Sequence, residues 1–118
     1  MRSERLRAAL LALALITAPG SAASAEPLFL SSAEQGSWLA ADKELHFAGS
    51  LSIAGSLRIE GRGPKTAVLA AFGVGIAKEI YDAALKPRRL GRGASWKDLA
   101  ADLAGALAGV WIVGALDR

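Results

Sequence analysis

The chain has 118 residues and no cysteine, with 14 Lys/Arg against 11 Asp/Glu for a formal net charge of +3. The missing cysteine excludes a disulfide framework, a thiolate metal site and thiol-linked lipidation. The basic excess does not indicate nucleic-acid binding, because no basic stripe interleaves with aromatics and three of the basic residues, Arg2, Arg5 and Arg7, crowd the N-terminus.

Those three arginines form the positive n-region of an export signal. An apolar run over 8–16 follows, then the helix breakers Pro19-Gly20 and an A-x-A site at Ala23-Ser24-Ala25. The run is too short for an ordinary span of about 20 residues. Cleavage after Ala25 is expected, leaving eleven basic and ten acidic residues in one domain near the lower size limit for a self-sufficient core. The mature chain is then exported, to the periplasm or cell envelope.

Residues 26–37 read as a polar, flexible lead-in. A first helix is expected over 38–59, closed by the turn Glu60-Gly61-Arg62-Gly63. Pro64 suits the first turn of the next helix, over 65–85. Lys86, Arg88, Arg89 and Arg92 make a basic loop broken by Pro87, Gly91 and Gly93. Ser95 with Asp98 three residues on is a capping box for a third helix, 95–116. Nothing alternates with period two for long enough to make a sheet. The fold class is all-α, a compact bundle of three helices over 38–118.

Small residues recur at four-residue steps: Ala101, Gly105 and Gly109; Ala48, Ser52 and Ser56; Ala71 and Gly75. Such rows let helix backbones approach closely, which must offset about 1 kcal/mol per interior glycine. The uncharged stretches 45–57, 66–77 and 103–116 run 12 to 14 residues. Their length favours buried or interfacial helices over full spans. After a cleaved signal, three spans would also put the basic loop outside, against the positive-inside tendency. A compact domain outside the cytoplasm, with the option of resting on a membrane, is therefore expected rather than an integral one. Its basic loop is either a solvated charged loop or a contact to anionic lipid at about 1 kcal/mol per charge near the surface. Trp38, Trp96 and Trp111 are expected in the core, with an interfacial belt as the other use.

Each helix carries polar residues at one-turn spacing, hence on one face: Asp42, Lys43, His46 and Ser50; Lys78, Glu79 and Asp82; Asp98 and Asp102. Ionisable groups on apolar helices are costly to bury unless paired. The reading preferred is a structural network that holds three helices in register. Two others stand beside it. His46, Glu79, Asp82 and Asp102, joined by Asp42, could bind a hard divalent ion. His46 could instead be a general base oriented by Asp102 or Asp82, with Ser50 as nucleophile, although no Gly-x-Ser-x-Gly elbow supports this. No residue is assigned a catalytic, cofactor or metal role, and no cofactor is expected.

Three blocks carry a family resemblance: Asp42-Lys43-Glu44-Leu45-His46-Phe47-Ala48-Gly49-Ser50, Gly75-Ile76-Ala77-Lys78-Glu79-Ile80-Tyr81-Asp82, and Ser95-Trp96-Lys97-Asp98-Leu99-Ala100-Ala101-Asp102 with Gly105. In this order they resemble the YfiM-like lipoprotein family of the bacterial envelope and, more distantly, the VanZ-like membrane proteins associated with glycopeptide-antibiotic resistance. The resemblance implies a small helical envelope protein without an established activity. The chain departs from the lipoprotein pattern, since it has no cysteine to acylate. The expected role is structural or interactive, with an envelope protein or an anionic membrane surface as partner and no nucleic acid. The alternative is a membrane-embedded protein that binds or acts on an envelope lipid or glycan through the His46 cluster.

Overall fold

The computed structural model describes residues 28–118, so the expected signal over 1–25 lies outside the described residues. Helix α1 is Ala41–Ile59, α2 is Pro64–Ala84 and α3 is Trp96–Leu116, with a short 3-10 turn at Arg88–Leu90. The described residues contain no strand, only an isolated bridge between Phe29 and Ala94. The bundle is all-α, as the periodicity predicts.

The helix ends follow local chemistry. Gly61, at φ 85°, closes α1 by donating to the Arg58 carbonyl while the Arg62 N–H donates to Leu57; this is a Schellman pair, which favours glycine at the left-handed position. Pro64 occupies the first turn of α2, where its missing N–H costs nothing. The Ser95 hydroxyl accepts from the Asp98 N–H at 3.2 Å and caps α3. Helix α1 starts three residues later than expected, because Ala40 bonds back to Ser37 in a turn.

Helices α1 and α3 run parallel and α2 antiparallel to them, with the most extensive packing between α1 and α3. Gly105 and Gly109 make that packing possible: a Cβ on Gly105 would collide with the Phe47 carbonyl, and one on Gly109 with the Leu51 carbonyl. The row Ala48, Ser52 and Ser56, expected to do the same for α1, points outward instead. The buried face of α1 carries Lys43, Ser50, Ala54 and Gly55, because burying Lys43 and the residues two and three turns on from it turns the Ala48 row away.

Side chains are sorted by size, small inside and large outside. The buried core is Ala54, Ala67, Ala71 and Ala106, edged by Ile53, Leu57, Val68 and Val110, and no large side chain is fully buried among the described residues. Leu45, Leu69, Val74, Leu85, Leu107 and Leu116 face outward. The tryptophans are not core residues: Trp111 is 72 % exposed, and Trp38 and Trp96 meet edge-to-face at 5.3 Å on the surface, with the Lys97 ammonium 5.6 Å from the Trp38 ring. Their size explains the change, since an interior built for glycine and alanine contact has no room for an indole.

From residue 28 on, the lead-in is docked rather than loose. The Leu30 N–H donates to Ala94 and the Ala94 N–H to Leu28. Gln35 is buried; its amide donates to the Leu30 carbonyl at 2.7 Å and accepts from the Ser95 hydroxyl and the Lys97 N–H, each at 3.1 Å.

Gly105→Ala should lower stability by about 1–3 kcal/mol, since the methyl forces α1 and α3 apart. Gly73, in α2, has nothing within 4 Å of an added Cβ, so Gly73→Ala should gain up to about 1 kcal/mol from helix propensity alone. Thermal or denaturant melts of the two variants should shift in opposite directions; shifts of the same sign would refute the close α1–α3 approach.

Candidate functional site

The antiparallel path brings the start of α1, the end of α2 and the start of α3 to one end of the bundle, and each arrives with its charged face inward. Asp98, in the first turn of α3, is the hub. Its Oδ1 lies 2.7 Å from the Lys43 ammonium, and its Oδ2 is 3.3 Å from His46 Nε2 and 3.7 Å from the Lys78 ammonium. Lys43 also pairs with Asp42 at 2.5 Å. Asp42 is 55 % exposed, and the hydrogen bond from Lys43 holds its carboxyl below the usual range. Lys78 reaches Asp82 at 2.5 Å and Glu79 at 3.4 Å. Lys86 adds a looser contact to Asp82 at 3.9 Å.

His46 sits between two carboxylates, with Nδ1 2.9 Å from Asp102 Oδ1 and Nε2 facing Asp98. A neutral imidazole has one N–H. One such N–H serves only one of the two carboxylates. Glu79 is buried and accepts the Ser95 N–H at 2.6 Å. That bond corrects the capping box. Glu79, not Asp98, takes the Ser95 N–H, which leaves the Asp98 carboxylate for the lysines and histidine.

The structure thus gathers Asp42, Lys43, His46, Lys78, Glu79, Asp82, Asp98 and Asp102 into one chain of contacts. Ser50 is buried one turn beyond His46, and its Oγ has no hydrogen-bond partner. Asp102 Oδ2 is likewise buried and unpartnered, pressed against Gly75, where a Cβ would run into the carboxylate. Asp98 Oδ1 also lacks a hydrogen bond of good angle, but the Lys43 ammonium 2.7 Å away neutralises it.

Two chemistries fit this geometry poorly. His46, Glu79 and Asp98 bring one ligand atom each within 4.8 Å of one another, while Asp42, Asp82 and Asp102 fall outside that set. The Lys78 ammonium already lies against both of its carboxylates, where a divalent ion would have to displace it. The nucleophile arrangement is also missing: both nitrogens of His46 face carboxylates, and Ser50 Oγ is bonded to neither. What the arrangement does chemically is neutralise buried charge across three helices.

Gln35, Ser95 and Lys86 belong to the site and were not anticipated there. Lys86 stands four residues after Asp82, a spacing that could have revealed it. Gln35 lies in a segment without periodicity, and nothing local marks it. The chain matches no protein-family model, no curated protein and no solved structure.

Asp98→Ala should cost about 1–3 kcal/mol, because buried Lys43 is left with only its rim partner Asp42, whereas Asp42→Ala at the exposed rim should cost under about 1 kcal/mol. Denaturant melts of both variants check this. Similar losses for the two would remove Asp98 from the centre of the network.

Proposed function

We propose that the chain is a membrane-embedded protein of the cell envelope with a structural or interaction role, its three helices held in register by the buried charge network. The observation that carries this reading is the inverted sorting of side chains. Most of the leucines and isoleucines and all three tryptophans lie outside, while glycine, alanine and ion pairs lie inside. In water this arrangement leaves most large apolar side chains exposed, well beyond the isolated patches of an ordinary soluble surface. In lipid it is the expected one. Helices there associate through small residues, and ionisable groups face the bundle interior and pair.

Helix dimensions support the reading. α3 is long and apolar enough to cross a membrane, and its 21 residues rise about 30 Å, the thickness of a hydrocarbon core. The uncharged bands of α1 and α2 are shorter. Their charged ends therefore sit near head-group level, at the end of the bundle that holds the network. The length of those bands favours a protein resting on the membrane, whereas the outward leucines favour embedding, and we follow the latter. The resemblance to YfiM-like and VanZ-like proteins and the signal-like residues 1–25 agree with an envelope location. The basic loop, at the same end as the network, suits contact with anionic head groups.

Membranes carrying the protein, washed with alkaline carbonate, should retain it, and solubilisation should require detergent. Release into the carbonate supernatant would overturn the embedded reading.

A further inference from the structure

A cleft of about 230 Å3 opens between α1 and α2 beside the charged end of the bundle. Its walls are apolar, formed by Leu45, Ile53 and Val74, and Gly49 leaves open space where a side chain would stand. Its polar lining comes from His46, Ser50, Lys78 and Asp102. Two of these, Ser50 and Asp102, are more than nine-tenths buried and hold the unpartnered oxygens Ser50 Oγ and Asp102 Oδ2. Each such group normally costs stability. Two of them beside the same empty space call for a hydrogen-bonding partner in it.

We infer that this cleft binds the primary ammonium head of a membrane amphiphile, whose chain lies along Leu45, Ile53 and Val74. The sign of the head follows from charge. Asp102 Oδ2 is an unpartnered carboxylate oxygen, which accepts and never donates, and its charge repels an anionic head. A quaternary ammonium has no N–H to donate. A primary ammonium brings a positive charge and three donors, enough for Asp102 and Ser50 together. Lys78 does not oppose it, because its own charge is held by Asp82, Glu79 and Asp98. Both acceptor oxygens are sealed from solvent in the empty cleft, so the head enters with a shift of the Asp102 and Ser50 side chains.

This inference rests on the embedded reading, and one experiment separates the two. The full chain is purified in nanodiscs containing equal phosphatidylethanolamine, phosphatidylcholine and phosphatidylglycerol, and its retained lipid is read by native mass spectrometry. Phosphatidylethanolamine should be retained at least tenfold over the other two. Dodecylamine added in detergent should compete with it, which identifies the ammonium rather than the glycerophosphate as the recognised group; failure to compete would overturn the assignment to the ammonium. Ser50→Ala, which removes a hydroxyl bonded to nothing, should keep or raise the melting temperature while lowering retention about tenfold. Gly49→Phe should block the cleft from a position outside the charge network, with the same loss. Equal retention of the three lipids by a carbonate-resistant protein would overturn this inference alone, and so would unchanged retention in both variants. Release by carbonate would instead overturn the embedded reading beneath it.

Discussion

Asp98 is the carboxylate on which the bundle depends, since two lysines and the histidine share it at once. It meets Lys43 and His46 from α1 and Lys78 from α2, and sits itself in the first turn of α3. A buried pair of this kind adds little net stability over a well-packed apolar alternative, because desolvation offsets most of the attraction. Its effect is on uniqueness. One turn of slip between α1 and α3 would bring Ala101 or Val113 to a position where a Cβ runs into a carbonyl. The same slip would strand a carboxylate among apolar neighbours. The charged end and the small-residue faces therefore set the same register.

The two halves of the bundle work by different physics. Toward the charged end, helices are tied by ion pairs and by the docked segment around Gln35, which bonds to Ser95 and Lys97. Toward the other end, contact rests on Gly105 and Gly109 against the carbonyls of Phe47 and Leu51, and on the alanine cluster. Close backbone approach of this type gains from dispersion and from weak Cα–H···O contacts, neither of which needs water to drive it. Large side chains are then left to the outside.

Much of this was legible in the sequence, and the rest was missed for physical reasons. Turn chemistry located three helices within a few residues, because Gly61, Pro64 and Ser95 act through their own backbone neighbours. One-turn spacing put His46 and Asp102 on inward faces correctly. Periodicity defines a face but not what it faces, so the row Ala48, Ser52 and Ser56 was mistaken for a contact row and Trp111 for a core residue. In a bundle whose exterior is apolar, hydrophobic spacing marks the outside. The partner of Asp98 was missed because the residue that releases it, Glu79, lies on another helix and can be placed only in three dimensions.

The parallel course of α1 and α3 has an electrical consequence. Two helix N-termini and one C-terminus meet at the charged end, leaving roughly half a unit of positive peptide charge there, which favours the carboxylates buried in the network. At the far end two C-termini outweigh one N-terminus, and Arg58, Arg62, Lys65 and Arg118 outnumber Glu60 and Asp117 there. The net peptide charge thus meets side chains of the opposite sign at both ends of the axis.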